Sequence, residues 1–297
     1  MSRGDAGVIH TVVSKPGPAE EELLASAPFF SARRRVAAGC SLRTLETSQK
    51  RSTRILLVHG RGHAASLWIP VARELEAEFA LVAVDVPGFG HSGFRAPEGN
   101  EQQQALDAFA RPIVNLIEEL KPDVVVGHSL GGALALRAAL EVTSVRGLVL
   151  ISAMGLSGYA RRRARAYLHL GPERLARTRR WLPMPSLSGR STDTLITSVR
   201  QELLLAQDAD RAKPWFDRLI PWTGPACSLE HRLRDIACPT LLLWGERDEA
   251  FPVPLAMQAC TQIPGAKLVV LPTGHAPHLE QPARVAAEIR HFATTAL

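Results

Sequence analysis

The sequence predicts an α/β protein with a mostly parallel central sheet, helices on both faces and an inserted, mainly helical cap. Short apolar runs that resemble buried strands alternate with stretches of helical periodicity. One interval between predicted strands is about 85 residues long, far more than an ordinary crossover connection needs. At 297 residues, the chain is long enough for one large domain carrying such an insertion.

Each predicted strand is a run of mainly β-branched or aliphatic residues, as expected where helices cover both faces of a sheet. The predicted strands are 53–59, 80–86, 123–126, 147–152, 240–244 and 267–271. Upstream, residues 35–38 and 42–46 predict a hairpin that turns at Gly39. The sheet is therefore expected to be mostly parallel.

The predicted helices follow the strands and repeat their apolar residues every three to four positions. They are 66–79, 101–120, 130–140, 191–206 and 284–292, with Pro122 ending the second. This pattern divides the chain into an N-terminal extension (1–30), a core domain (31–152 and 239–297) and a cap (153–238). The cap would cover the mouth of a pocket in the core and determine which substrate shapes fit there.

The positive charge of the chain is concentrated in the cap. The formal net charge is +6, and residues 156–225 hold thirteen Lys or Arg against six Asp or Glu. Because the rest of the chain is close to neutral and carries no nucleic-acid-binding motif, no nucleic-acid partner is expected. The arginine run at 161–163 leaves two interpretations open, a solvated helix face and an electrostatic funnel for anionic substrates.

Cysteine usage and the N-terminus both predict a cytoplasmic protein. The four cysteines lie far apart without a Cys-x-x-Cys pair, which favours reduced thiols, although a Cys227–Cys238 disulfide stays open. No run approaches the roughly 20 apolar residues of a membrane-spanning helix, and no apolar signal-peptide core follows Met1. The oligomeric state is not predicted.

The segment Gly127-His128-Ser129-Leu130-Gly131 joins a predicted buried strand directly to a predicted helix. A serine on such a tight turn has a strained backbone, and small neighbours make room for it. Backbone N–H groups at the start of the helix then point to where an oxyanion would form. This context favours Ser129 as a nucleophile over a simple helix cap, the other role open to a serine here.

A serine nucleophile needs a base, and the base needs an orienting acid. In this type of fold both follow the serine in chain order, each on a loop after a strand. Asp248 lies just beyond the predicted strand 240–244, and His275 lies just beyond 267–271. Asp248 is therefore the predicted acid and His275 the predicted base, with Glu246 as an alternative acid.

Five motifs in order make the chain resemble the alpha/beta hydrolase superfamily from Arg54 to Phe292. They are HGRG at 59–62, DVPGFGHS at 85–92, GHSLGG at 127–132, GERDEAFP at 245–252 and GHAPHLEQP at 274–282. The resemblance implies Ser129 as nucleophile, Asp248 as acid and His275 as base. It also implies an oxyanion hole formed by the backbone N–H groups of Leu130 and Arg61.

The remaining histidines and acids near these motifs are expected to support the structure of the site and to take no part in catalysis. His128 is expected to project away from the reacting side of the turn, and His278 to lie at the start of a helical turn. Asp85 resembles the loop-stabilising residue of the superfamily, while His59 and His63 are expected in the pocket wall or in hydrogen bonds. Without Cys or carboxylate ligands nearby or a phosphate-binding loop, no metal and no cofactor are expected.

The predicted function is hydrolysis of a carboxylic ester of a small-molecule acyl substrate through an acyl-enzyme intermediate. A hydrolase of carbon–carbon bonds in ring-cleavage products uses the same residues and stays open. So do thioester, lactone and acyl-transfer chemistry, and a hydrolase-like binding protein without turnover. Dehalogenases of this superfamily use an aspartate nucleophile, which the serine at position 129 disfavours.

Overall fold

The computed structural model describes residues 15–97, 102–157, 193–206, 215, 219 and 228–296. Its strands are β1 (Phe30–Ala37), β2 (Cys40–Thr47), β3 (Arg54–Val58), β4 (Ala80–Val84), β5 (Val124–His128), β6 (Gly147–Ile151), β7 (Thr240–Gly245) and β8 (Lys267–Leu271). They form one sheet in the order β1-β2-β4-β3-β5-β6-β7-β8. The pairs β1–β2 and β2–β4 are antiparallel and the others are parallel, which confirms the predicted fold class.

Helices cover both faces of this sheet. They are α1 (Pro18–Ala25), α2 (Ile69–Leu75), α3 (Gln102–Leu120), α4 (Leu130–Glu141), α5 (Thr194–Ala206), α6 (Val253–Gln262), α7 (Pro277–Glu280) and α8 (Pro282–Thr295). Short 3-10 turns occupy Ala65–Trp68 and Glu230–Asp235. Among the described residues, none of the helices is both long and apolar enough to cross a membrane.

Strand β3 shows how the two-residue period of a strand divides the core into two layers. Leu56 and Val58 belong to the cluster that contains the apolar faces of α3 and α4. Ile55 and Leu57 belong to the opposite cluster, with α2 and α8. Because both faces are buried from Ile55 to Val58, these residues have to be apolar, and this explains the continuous run in the sequence.

The predicted strands and helices are confirmed with ends shifted by a few residues, with one difference. The segment predicted as a single helix over 66–79 is a 3-10 turn at Ala65–Trp68 followed by α2, which ends at Leu75. The predicted hairpin is also confirmed, with longer strands and a turn in which Ala38 and Gly39 have φ of 47° and 71°. Three helices lack a clear sequence signal. Helix α7 has four residues, α1 is largely acidic, and α6 buries only the small side chains of Ala256 and Ala259.

Part of the predicted cap lies among the described residues. Helix α5 packs Ile196, Val199 and Leu203 against an apolar cluster that includes Leu23 of α1 and Leu279 of α7. The arginine run at 161–163 and the residue Cys227 lie outside the described residues, while Cys238 is a free thiol. The boundaries of the cap and of the N-terminal extension stay predictions.

A buried network of charges ties α1 to the sheet. Arg43 donates to Asp85 at 2.6 Å and to Glu20 at 2.9 Å, and His91 Nε2 donates to Glu20 at 2.7 Å. Burial alone would raise the pKa of the Glu20 carboxyl, but its hydrogen bond with His91 and the charge of Arg43 outweigh burial and lower that pKa. The charge of Arg43 likewise lowers the pKa of buried Asp85.

Candidate active site

Ser129 occupies the sharp turn between β5 and α4. Its backbone has φ 51° and ψ −116°, a conformation that a residue with a side chain rarely adopts. Surrounding backbone groups hold it there. Its N–H donates to Ile151 O at 3.0 Å, and its carbonyl accepts from the N–H groups of Gly132 and Met154, each at 3.0 Å.

The glycines beside Ser129 are required by close backbone contacts. A Cβ on Gly127 would lie 2.3 Å from Gly131 O, and one on Gly131 would lie 2.2 Å from Val58 O. Real Cβ atoms essentially never approach this closely. The expected reason for these glycines, room for a tight strand-to-helix turn, is therefore confirmed.

A line of hydrogen bonds joins Ser129 to His275 and His275 to Asp248. Ser129 Oγ lies 3.1 Å from His275 Nε2, and His275 Nδ1 lies 2.9 Å from Asp248 Oδ2. A carboxylate only accepts, so Nδ1 carries the ring proton and Nε2 is free to accept from the serine hydroxyl. The structure thus brings the three predicted side chains together in the predicted order.

Asp248 is held by its own loop. Its Oδ1 accepts the backbone N–H groups of Ala250 and Phe251, both at 2.9 Å, and the residue is buried. Glu246, the alternative acid, is exposed to solvent at the end of β7. The arrangement places Asp248, rather than Glu246, against the imidazole of His275.

The predicted oxyanion groups lie on both sides of Ser129. Leu130 is the first residue of α4 and follows the serine directly. The loop of Arg61 is brought close by Gly60, where a Cβ would lie 2.9 Å from Ser129 Cβ. Their role as a pair of oxyanion donors stays a prediction.

His59 and Asp85 have the structural surroundings expected of them. His59 Nδ1 donates to Gly60 O at 2.7 Å, and its Nε2 accepts from Val86 N at 3.0 Å. Asp85 also accepts the backbone N–H groups of Ala65 and His91. Both residues hold together the loops that follow β3 and β4.

Three further histidines lie together beside the base, and the sequence does not predict this cluster. His63, His128 and His278 are at most 6% exposed, and one ring nitrogen of each lies within 4.8 Å of the other two. His128 Nε2 donates to the carbonyl of His275 at 2.8 Å. As expected, His278 lies in a helical turn, α7.

Burial keeps these three imidazoles neutral. It is the largest cause that lowers the pKa of His63, His128 and His278 well below the usual histidine value. The positive charge of Arg200 on α5 adds to the lowering for His63 and His278. The only sequence signal for the cluster is that each histidine lies at or after the carboxyl end of a strand. His128 is the last residue of β5, and His63 and His278 follow β3 and β8, at the edge of the sheet where such segments converge.

Comparison with known protein families and sequences places the chain among the alpha/beta hydrolases. A family model described as the alpha/beta hydrolase family matches residues 55–288. A pimeloyl-[acyl-carrier protein] methyl ester esterase of Stenotrophomonas maltophilia is 29% identical over 251 residues, covering 80% of this chain and 92% of that protein. An uncharacterized protein of Mycobacterium tuberculosis is 29% identical over 259 residues, covering 81% and 75%.

Solved structures share the fold. The carboxylesterase CesB from Bacillus subtilis superposes with a TM-score of 0.70 at 20% identity, covering 94% of this chain and 97% of that one. An esterase, RhEst1, from a Rhodococcus species gives a TM-score of 0.68 at 22% identity, covering 90% and 100%. At this identity the likeness concerns the fold alone.

Proposed function

The chain belongs to the alpha/beta hydrolase family, and we propose that it is a serine hydrolase that cleaves carboxylic esters with Ser129, His275 and Asp248. The observation that carries this proposal is the unbroken line of hydrogen bonds from the serine hydroxyl through the imidazole to the buried carboxylate. The strained backbone at Ser129 supports it, because such strain is retained where the surrounding structure enforces it and is common at nucleophiles.

In the proposed reaction, Ser129 Oγ attacks the ester carbonyl carbon while His275 Nε2 takes the hydroxyl proton. Asp248 keeps the imidazole oriented and stabilises its positive charge. The backbone N–H groups of Leu130 and Arg61 stabilise the oxyanion. His275 then gives the proton to the departing alcohol, which leaves an acyl-serine.

Water completes the cycle. His275 takes a proton from a water molecule as its oxygen attacks the acyl-serine carbonyl, and the second oxyanion collapses to release the carboxylic acid. The proton returns to Ser129 Oγ, so one ester and one water give one acid and one alcohol. Each proton transfer uses the same nitrogen, Nε2, which lies 3.1 Å from the serine oxygen.

The choice of an ester as substrate rests on relatives. The methyl ester esterases of Stenotrophomonas maltophilia match most of this chain and most of their own length. Esters of small alcohols are therefore the substrates to test first. The acyl group is a separate question, because the fold does not determine it.

Active-site labelling tests the nucleophile. A fluorophosphonate probe should label the wild-type chain once and should not label Ser129→Ala. The same preparation should hydrolyse nitrophenyl esters of increasing acyl length, and Ser129→Ala should lose at least about 10⁴-fold in kcat.

Two outcomes would contradict the proposal. Labelling that persists in Ser129→Ala would place the nucleophile elsewhere. A labelled wild-type protein that hydrolyses none of the nitrophenyl or methyl esters would contradict the ester substrate, and would direct attention to carbon–carbon hydrolysis or to binding without turnover.

A further inference from the structure

The cluster of His63, His128 and His278 lies immediately behind the proposed base. The rings of His128 and His278 have centroids 4.3 Å apart, and those of His63 and His128 stack at 5.4 Å. The His128 ring also packs on His275, with centroids 5.1 Å apart. The cluster is therefore in contact with the proposed catalytic machinery without being part of its hydrogen-bonded line.

The imidazole nitrogens of this cluster have lone pairs or protons that the described residues do not satisfy. His63 Nδ1, His128 Nδ1 and both nitrogens of His278 are buried with no hydrogen-bond partner among the described residues. Buried polar atoms normally have a partner, since leaving one without a partner costs about 1–3 kcal/mol. Four such atoms in one place call for a partner, which an ordered water or a bound cation can supply.

The hydrogen bond of His128 shows which of its ring nitrogens has a lone pair for a ligand. Its Nε2 donates to the carbonyl of His275, so in the neutral ring Nδ1 carries the lone pair. Metal-binding histidines commonly donate their other ring N–H to a backbone carbonyl in this way, which orients the ring. His59 is different, because both of its nitrogens have partners.

We propose that His63, His128 and His278 form a reversible site for one divalent transition-metal cation of the kind that imidazole binds, with Zn²⁺ as the reference ion. Three histidines and a water give zinc a common four-coordinate arrangement. The sequence does not predict this set, because the three histidines come from separate segments of the chain that only the fold brings together.

The distances allow such a site with a small adjustment. Tetrahedral zinc with Zn–N bonds of about 2.05 Å needs nitrogens roughly 3.35 Å apart. One ring nitrogen of each histidine lies within 4.8 Å of the chosen nitrogens of the other two. If the three nitrogens form an equilateral triangle with sides of 4.8 Å, each has to move about 0.8 Å toward the centre to reach the zinc spacing. Small side-chain rotations can supply a movement of this size.

The charges predict a reversible site rather than a permanent one. The three imidazoles are held neutral by burial, which is the form that binds a cation. However, the cluster that could hold the ion contains no carboxylate, and the positive charge of Arg200 acts on His63 and His278. A chelator should therefore remove the ion without unfolding the protein.

Occupation of the site should inhibit the proposed hydrolysis. His128 is bonded to the backbone of His275 and packs on its ring, so drawing His128 toward a cation displaces the base. A misplacement of about 1 Å in an active site can cost about 10²-fold in rate. This consequence rests on the proposed function, whereas binding of the cation does not.

Metal titration of the untagged full-length chain tests the site. After treatment with a chelator, calorimetry should show one equivalent of Zn²⁺ bound, and Co²⁺ should give the visible absorption of a four-coordinate complex that Zn²⁺ abolishes. His63→Leu and His278→Leu should each lose this binding. The exposed histidines supply matched controls, and His231→Ala and His291→Ala should keep it.

The proposal is overturned if wild-type protein binds no stoichiometric Zn²⁺, or if binding persists in both leucine variants. It is also overturned if the Co²⁺ complex of the wild type is six-coordinate, a measurement that needs no variant to fold. Saturating Zn²⁺ should lower ester hydrolysis by about 10²-fold in wild type and much less in His63→Leu. Failure of fluorophosphonate labelling at Ser129, with Zn²⁺ binding intact, would contradict the proposed function alone.

Discussion

At the scale of single residues, the surroundings of Asp248 give it a specific task. One carboxylate oxygen is occupied by two backbone N–H groups from its own loop, so the other is left for His275. Holding the proton on Nδ1 keeps the lone pair of Nε2 directed at Ser129. The acid therefore contributes mainly through the tautomer and orientation of the base.

Replacing Asp248 by Asn tests this role. An amide that turns its N–H groups toward His275 favours the wrong tautomer, so kcat for a nitrophenyl ester should fall by about 10⁴-fold. Glu246→Gln is the matched control, because Glu246 is exposed two residues earlier. It should change kcat by less than about twofold, since surface substitutions have small effects. A larger loss in Glu246→Gln than in Asp248→Asn would make Glu246 the acid.

At the scale of elements, the sequence predicts a strand, helix or site residue when the reason for it lies in neighbouring residues of the chain. The central strands are mainly apolar because both of their faces are covered, and this signal is contained in five or six residues. Ser129, His275 and Asp248 are predictable for a related reason. Each follows a strand that can be recognised, and in this type of fold their order along the chain is fixed.

The elements that the sequence does not predict depend on distant contacts. Glu20 lies in an acidic helix and looks like a surface residue, yet Arg43 and His91 bury it. Likewise His63, His128 and His278 come from segments that lie far apart in the chain. No local pattern distinguishes these residues from solvated ones, because their partners lie far away in the chain.

The buried contacts of α1 predict a large effect from one substitution on its inner face. Glu20→Gln removes the charge that partners Arg43 and His91, and breaking a buried pair typically costs about 3 kcal/mol or more. Glu22→Gln, on the exposed face of the same helix, should change the free energy of unfolding by about 0.5 kcal/mol or less. Urea denaturation at pH 7 measures both. Equal effects in the two variants would show that the Glu20 network does not stabilise the fold.

At the scale of the whole molecule, the histidine cluster links stability to pH. His63, His128 and His278 are buried, and their pKa values lie well below the usual histidine value in the folded chain. Well above a pH of about 6.5 these histidines are neutral in both the folded and the unfolded chain, so their burial carries no protonation cost. Below that pH, the unfolded chain takes up protons that the folded chain excludes. Stability is therefore present above the unfolded pKa and is lost as the pH falls toward the folded pKa.

Between pH 6.5 and 5.5 the free energy of unfolding should fall, by at most about 1 kcal/mol for each histidine, because the unfolded chain takes up protons that burial keeps out of the folded chain. Urea denaturation at pH 7.5, 6.5 and 5.5, with a chelator present, measures this loss. The variant His63→Leu has one titrating group fewer in the cluster, so its loss should be smaller by about a third, while the exposed control His291→Ala should match the wild type. A pH-independent stability over this range, or an equal loss in His63→Leu and wild type, would show that the folded chain protonates these imidazoles.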